Sequence, residues 1–260
     1  MKEPKTRCQQ IERSIIKNYR KEIWRPFVDA LNEYKMIEEG DNIAVCISGG
    51  KDSMLLLYAL HLYQKYTKKD YALLAVTVDL GFGNYATDVM QAYADGLGVP
   101  LHILKTNISE IVFDIRKEKN PCSLCAKMRK GAFYEKAKEL LCTKAAFAHH
   151  GDDVIETLLM SLMYEGRMNT FSPKSYLSRR DITLVRPFVF LRERDIASAV
   201  NRLDIPIAKN PCPIDFSTKR EQAKGIVRYL NSLYPGTADN MLNAVKTADT
   251  YNLWNKDWNF

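Results

Sequence analysis

The feature that most constrains the fold is an alternation of short apolar runs and longer amphipathic stretches between residues 43 and 204. The apolar runs predict strands at 43–47, 71–79, 101–106, 144–148 and 182–190. Strands that alternate with helices form a parallel sheet covered on both faces. We therefore expect an α/β fold, doubly wound around a mostly parallel five-stranded sheet.

Helical patterns at both ends predict extensions to this central domain. The chain has 260 residues, of which 46% are hydrophobic, enough for one large domain with small appendages. We expect an N-terminal helical segment at 1–40 with a break near Pro26, a central domain at 41–215 and a C-terminal helical segment at 216–260.

Charge and cysteine content indicate the class of partner and the compartment. The formal net charge is +7, which suits a polyanionic partner such as a nucleic acid. No apolar stretch is long enough to span a bilayer, and the first residues lack the apolar middle of a secretory signal. We expect no membrane partner and a cytoplasmic location, where the six cysteines stay reduced.

A glycine-rich turn joins the first predicted strand to the first predicted helix. It consists of Ser48, Gly49, Gly50, Lys51, Asp52 and Ser53. It is not a Walker A loop, because Val45 stands where that motif needs glycine and Asp52 where it needs Ser or Thr. It is not a dinucleotide-binding Gly-x-Gly-x-x-Gly turn either.

The chemistry of this turn nevertheless points to phosphate. Two adjacent glycines let backbone N–H groups approach an anion, and the helix that follows directs its positive end there. Lys51 adds a full positive charge. Asp52 would repel a polyphosphate unless a cation lay between them, which suggests Mg²⁺.

Six consecutive residues of this turn resemble the pyrophosphate-binding loop of the PP-loop ATP pyrophosphatases, Ser-Gly-Gly-x-Asp-Ser. The resemblance implies a PP-loop, adenine nucleotide alpha hydrolase-like fold that binds ATP and cleaves it between the α and β phosphates. AMP is then transferred to a carbonyl oxygen, from which a nucleophile displaces it. On this basis Lys51 and Asp52 are candidate catalytic residues. Asp79 and the backbone at Val78 are candidates for the adenosine pocket.

The turn at "HHGDD" joins a predicted strand to a helix at the same sheet edge. Asp152 and Asp153 suit the N-cap of that helix, and at least one is expected to serve there. Asp153 is also a candidate to hold Mg²⁺ or position the nucleotide. His149 is a candidate nucleotide-binding residue, with a packed, non-catalytic histidine as the alternative.

Cys122, Cys125 and the distant Cys212 form the second candidate centre. From spacing alone, structural zinc, a redox dithiol and an iron–sulfur cluster remain open, as do ordinary buried thiols. Three thiolates would leave one position of a four-coordinate zinc unfilled. On a cubane cluster they would leave one iron free for an outside ligand. Cys8, Cys46 and Cys142 are expected to be structural.

A second resemblance narrows these choices. The glycine turn together with "CSLCAKMRKGAFYEKAKEL", "AHHGDDVIETLLMSLMYEGRMNTFSPK" and Cys212 is similar to the tRNA 2-thiocytidine synthetase group over residues 41–245. The resemblance implies a [4Fe–4S] cluster held by Cys122, Cys125 and Cys212. One departure is Ala148, where the group usually has glycine. The segment around Cys212 is also short, which leaves the modified nucleotide open.

The resemblance predicts a tRNA sulfurtransferase that uses ATP, Mg²⁺ and a [4Fe–4S] cluster. It would adenylate the C2 oxygen of a pyrimidine, by analogy cytidine 32, before sulfide on the free iron or a persulfide displaces AMP. The sulfur donor would be free sulfide or a cysteine desulfurase product, and a homodimer is left open. Thiolation of a uridine or a small molecule, and a zinc-stabilised RNA-binding module, are the alternatives.

Basic residues interleaved with aromatic residues predict where RNA binds. The cations are Arg167, Lys174, Arg179, Arg180, Arg186, Lys219 and Arg220, with Tyr164, Phe171 and Tyr176 among them. Cations neutralise phosphates and aromatic rings stack on unpaired bases. A solvated loop is the alternative.

Overall fold

The computed structural model describes residues 7–83, 85–117, 121–208, 211–212 and 219–247, with side chains described from residue 10. These residues form two compact units. The first lies within 1–150 and 172–215, and the second within 151–171 and 216–260. The expected boundaries at 40 and 215 stay predictions.

The first unit is built around a six-stranded sheet with the order β3-β2-β1-β4-β6-β5. The strands are β1 (Asn42–Cys46), β2 (Ala72–Asp79), β3 (Leu101–Lys105), β4 (Lys144–Ala146), β5 (Lys174–Leu177) and β6 (Ile182–Val185). All neighbours are parallel except β5 and β6, which form an antiparallel pair. The mostly parallel α/β sheet is confirmed, but the predicted count of five strands is one too low.

Helices connect the parallel strands on opposite faces of the sheet. The helices of this unit are α1 (Arg7–Arg13), α2 (Arg25–Glu33), α3 (Lys51–Tyr66), α4 (Thr87–Leu97), α5 (Pro121–Glu139) and α7 (Glu193–Leu203). Because parallel crossovers are right-handed, the reversal of direction after β3 puts α5 on the face opposite α3 and α4. Phe133 and Ala137 of α5 accordingly pack in one core with Ala44 and Val76 of the sheet.

This reversal of strand order creates a switch point between β1 and β4, where open α/β sheets bind ligands. The glycine turn follows β1 at this point, and His149 and His150 follow β4. The site that the sequence predicts at the strand ends is therefore expected at the carboxyl ends of β1 and β4 in this unit.

The N-terminal segment differs from a continuous α-helix broken at Pro26. Residues Ser14–Asn18 and Arg20–Trp24 are π-helical, the break falls at Tyr19, and Pro26 lies in the first turn of α2. Ile11, Ile15, Tyr19 and Ile23 are all buried, as their spacing predicts. A strict spacing of four drifts by about 40° per step on an α-helix, and the wider π turns reduce that drift.

The second unit contains α6 (Gly151–Glu165), α8 (Lys219–Leu233) and α9 (Thr237–Lys246), each packed against the other two. Ile155, Val227 and Ala238 form its small core. Among all described residues, no helix is both long and apolar enough to cross a membrane.

Candidate active site

The glycine turn has the closed shape that its sequence predicts. The backbone N–H of Ser48 donates to Ser53 Oγ at 3.1 Å, and Ser53 Oγ donates to the Gly50 carbonyl at 2.9 Å. Gly49 has a φ of +77°, which favours glycine. Gly50 is the N-cap of α3 with extended backbone, so the first N–H groups of the helix open toward the turn.

Lys51 and Asp52 begin α3 and form part of a charged cluster. Lys51 Nζ lies 3.1 Å from Asp52 Oδ2 and 3.1 Å from Glu193 Oε1. Burial works to lower the pKa of Lys51, but the carboxylates of Asp52 and Glu193 outweigh it and raise that pKa. Lys51 is therefore held as a cation and is unsuited to act as a base.

The other oxygen of Asp52 points toward the end of β4. Asp52 Oδ1 is buried without a hydrogen-bond partner in the described residues, and His150 Nε2 lies 3.9 Å away. A buried carboxylate oxygen without a donor fits the oxygen ligands that Mg²⁺ prefers. Glu193 is the site residue that the sequence analysis missed, whereas His150 lies in the HHGDD turn that the sequence singles out. Glu193 lies 142 residues from Lys51, and only the packing of α7 on α3 brings them together.

The residues at the end of β2 face two different neighbours. β1 pairs with β2 only as far as Cys46 and Val76, and the Val76 carbonyl accepts from Ile47. Alternate residues of a strand direct their backbone groups to the same side. The N–H and C=O of Val78 are therefore on the same side as those of Val76, past the end of β1 and toward the glycine turn. The Asp79 carboxylate accepts from Gly81 N–H at 2.9 Å, so it shapes the following turn.

His149 and Asp153 have partners of their own within their units. The His149 ring stacks on Phe147 with centroids 5.9 Å apart. In the second unit, Asp153 Oδ1 accepts from Arg220 Nη1 at 2.6 Å, and Glu156 Oε2 lies 3.8 Å from the same nitrogen.

The three cysteines of the predicted cluster are close enough to influence one another. Cys122 and Cys125 lie in the first turns of α5, three residues apart and so on one helix face. Burial raises the pKa of Cys125; Arg129 opposes that rise, and Cys212 and Cys122 add to it. Within the described residues, no disulfide joins Cys46, Cys122, Cys125, Cys142 or Cys212. Across the described ranges no three His, Cys, Asp or Glu side chains are arranged as metal ligands.

One segment links the glycine turn to Cys212. The Ala208 N–H donates to the Gly49 carbonyl at 2.9 Å, and a Cβ added to Gly49 would lie 2.6 Å from Ala208 Cβ. Four residues span at most about 14 Å, so Cys212 stays within that reach of Ala208. Residues 209, 210 and 213–218, which flank Cys212 in the sequence, lie outside the described residues.

The predicted RNA-binding cations have different environments. Arg186 is buried and its Nη1 donates to the Ser172 carbonyl, so its prediction as a surface cation is wrong. Burial also lowers its pKa. Arg167 and Arg179 are exposed. In the second unit Lys219 Nζ lies 4.2 Å from the Tyr164 ring centroid.

Comparison with known proteins places the chain in a family. The PP-loop domain family matches residues 15–222. The tRNA-cytidine(32) 2-sulfurtransferase of Pelobacter propionicus is 36% identical over 83% of this chain and 81% of its own length. That of Bordetella avium is 34% identical over 91% of this chain and 76% of its own length.

Among solved structures, the fold is similar to that of the U34-tRNA thiolase NcsA from Methanococcus maripaludis with its [4Fe–4S] cluster. The TM-score is 0.68 at 20% identity, over 89% of this chain and 80% of that one. At that identity the likeness concerns the fold alone. The sequence matches go further: this chain belongs to the PP-loop domain family and, within it, to the family of the tRNA-cytidine(32) 2-sulfurtransferases.

Proposed function

We propose that this protein is an ATP-dependent tRNA sulfurtransferase that converts cytidine 32 to 2-thiocytidine, the reaction for which its relatives are named. The observation that carries the proposal is the contact between Ala208 and Gly49. It ties the phosphate-binding turn to the segment that bears Cys212.

ATP would bind with its phosphates at the glycine turn. The N–H groups at the start of α3 and the Lys51 ammonium would face the departing pyrophosphate; their common position at the start of one helix supports this. Asp52 Oδ1 would hold the Mg²⁺ that neutralises the polyphosphate. The backbone at Val78 would read the adenine edge, and His149 is the proposed contact to the rest of the nucleotide.

Adenylation converts a poor leaving group into a good one. The C2 oxygen of the cytosine attacks the α-phosphorus of ATP, and the bond to pyrophosphate breaks. Sulfide then attacks C2, the C2–O bond breaks, and AMP departs with the original oxygen. Throughout, Lys51 and the α3 N-terminus stabilise negative charge on the departing phosphates.

A [4Fe–4S] cluster on Cys122, Cys125 and Cys212 would supply the sulfur at a fixed position. Three thiols are the donor set that such a cluster takes, and Cys122 and Cys125 lie on one face at the start of α5. The sulfur would come from free sulfide or a cysteine desulfurase, and a reducing cytoplasm would protect the thiols.

The roles separate in a two-variant experiment on anaerobically prepared protein. Asp52→Asn should abolish AMP formation and retain iron, whereas Cys212→Ala should lose iron and retain ATP binding. Asp88→Asn, at the first turn of α4, and Cys142→Ala are the matched controls. Iron and sulfide analysis gives the metal content. Zinc in place of iron would favour the RNA-binding module, and iron retained by Cys212→Ala would contradict the ligand assignment.

The product identifies the substrate. Two tRNA transcripts that differ only in cytidine or uridine at position 32 should give 2-thiocytidine from the first and no thiolated nucleoside from the second, read by nucleoside mass spectrometry. Thiolation of the uridine transcript alone would favour the alternative substrate. Asp153→Asn in the same assay should lower AMP formation if Asp153 has its proposed catalytic role. Arg220→Met removes the partner of Asp153 together with a predicted RNA-binding cation and the contacts to Glu156 and Thr157, so the two variants are compared at saturating tRNA.

A further inference from the structure

The carboxylate of Glu193 reaches the glycine turn from another part of the chain. Its Oε1 lies 3.1 Å from Lys51 Nζ, the same distance as Asp52 Oδ2 from that nitrogen. The three side chains are 25–28% exposed, so the cluster is largely shielded from water. A charged hydrogen bond in such a place is stronger than one at the surface.

Glu193 is held on a firmly packed element. It is the first residue of α7, directly after the extended N-cap Arg192. Ile196 and Val200 of α7 are buried, and α7 packs against α3. Both partners of the ion pair therefore lie at the starts of two helices that are packed together. The packing of α7 holds the backbone of Glu193 in place.

The carboxylates of Asp52 and Glu193, which both contact Lys51, would have different roles when a nucleotide binds. Asp52 presents its second oxygen, buried and without a hydrogen-bond donor in the described residues, toward a cation site. Once Asp52 shares its charge with Mg²⁺, its hold on Lys51 weakens. Glu193 would then be the carboxylate that still holds the ammonium.

We infer that Glu193 is a positioning residue, which holds the Lys51 ammonium in line with the departing pyrophosphate during adenylation. This inference rests on the proposed function. Glu193 acts through Lys51 and touches no reacting atom. A misplaced cation still attracts ATP in the ground state but stabilises the transition state poorly, so the effect falls on kcat more than on KM.

The test measures AMP formation by the Mg²⁺-loaded enzyme with tRNA. Glu193→Gln should lower kcat by about 10-fold to 100-fold and change the KM for ATP by less than about threefold. Glu193→Asp restores the charge on a shorter side chain and should recover part of the rate. Calorimetric titration with ATP in the absence of Mg²⁺ should give Kd values within about threefold for all three proteins.

The matched control is Asp195→Asn, which removes a carboxylate from the same first turn of α7. Both amide variants lose a similar interaction with the helix dipole, so a purely structural effect would appear in both. A kcat for Asp195→Asn as low as that of Glu193→Gln would overturn the inference.

A double-mutant cycle gives the decisive comparison. In a Lys51→Ala background, Glu193→Gln should cause no further loss of rate, because the residue through which it acts is gone. A further loss equal to that in the wild-type background would overturn the inference. If Glu193→Gln does not fold, Glu193→Asp is read in the same cycle with the same two outcomes.

The controls also separate this inference from the proposed function. A wild-type enzyme that forms AMP and 2-thiocytidine while Glu193→Gln matches its kcat sinks only the role of Glu193. A wild-type enzyme that forms no AMP on tRNA removes both.

Discussion

At the scale of single residues, the site depends on close contacts that leave no room for change. Gly49 combines a left-handed backbone conformation with direct contact to Ala208. Either feature alone favours glycine, and together they exclude a side chain. Position 49 therefore requires glycine for the shape of the turn.

Gly49→Ala should therefore destabilise the fold beyond the usual penalty for left-handed alanine. That penalty is about 1–2 kcal/mol, and the contact at 2.6 Å should add about 1–3 kcal/mol of overpacking. Gly40→Ala is the matched control, since Gly40 has a φ of +75° with no neighbour within 4 Å of its built Cβ. Urea unfolding gives both free energies. Equal losses of unfolding free energy in the two variants would mean that Ala208 moves aside at no cost in free energy.

Cys142 provides a second test at this scale, through its ionisation. Burial raises its pKa to about 11, so about one molecule in a thousand carries the thiolate at pH 8. Iodoacetamide should label Cys142 about 100-fold more slowly in the folded protein than in urea. Because the neutral thiol is favoured below pH 11, the labelling rate of Cys142 in the folded protein should rise about tenfold for each pH unit up to that value. Peptide mass spectrometry measures the rate, and a rate independent of folding would contradict the burial.

The sequence could indicate some of these residues but not others. The six residues of the glycine turn were readable because they are contiguous and chemically unusual. Glu193 was not, because an acidic residue in a helical first turn is ordinary and its partner is far away in the chain. Arg186 was misread because its neighbours are basic, whereas the fold buries it beside a backbone carbonyl.

At the scale of elements, β4 carries a buried ion pair at the amino end of the sheet. Lys144 Nζ lies 2.6 Å from Asp41 Oδ2 and 2.7 Å from Glu38 Oε2. The side chains of Lys144 and Asp41 are 4% and 8% exposed. The pair fixes the start of β4 against the turn that leads into β1.

Lys144→Met should lower the free energy of unfolding by about 3–5 kcal/mol, because the buried Asp41 carboxylate loses its counter-ion. Lys174→Met is the matched control. Its ammonium lies 3.9 Å from Glu38 and donates to the Lys35 carbonyl at 2.6 Å, and its side chain is 30% exposed, so the loss should stay below about 2 kcal/mol. Urea unfolding at one pH gives the free energy of unfolding of both variants. Equal losses would show that the burial of Lys144 makes no difference to stability.

The elements themselves were largely predictable, and the failures have physical causes. β1 to β4 and the main helices have clear apolar periodicity. β5 was missed because Lys174–Leu177 is short, polar and stabilised by pairing with β6. The run at 182–190 was read as one strand, but only Ile182–Val185 is extended, since Pro187 cannot donate to a sheet.

At the scale of the whole molecule, the basic excess of 7 charges bears on a polyanionic substrate. Exposed cations occur in both units, and in the second unit the ammonium of Lys219 lies against the Tyr164 ring. That arrangement offers both a charge for a phosphate and a face for an unpaired base.

The affinity for tRNA should therefore fall steeply with salt. We expect log K against log salt concentration to have a slope steeper than about −2, the value for three phosphate contacts on a single strand. Arg167→Gln should reduce the slope by about 0.7. Arg194→Gln removes another exposed charge, one outside the predicted RNA-binding group, and should leave the slope unchanged. Fluorescence titrations measure the slopes. Equal changes in slope for the two variants would indicate that tRNA responds to the net charge of the protein and not to the predicted RNA-binding group.

The fold class was accessible from the sequence because it rests on local patterns. The grouping of α6 with α8 and α9 in a second unit was not, because those helices are distant in the chain and only their packing joins them.

The contact between Ala208 and Gly49 also limits how the sequence can diverge. Because a Cβ added to Gly49 would lie 2.6 Å from Ala208 Cβ, the two positions have no room for a larger pair of side chains. A bulkier residue at position 208 should therefore be accepted only with a change in the backbone of a turn that lies far away in the sequence.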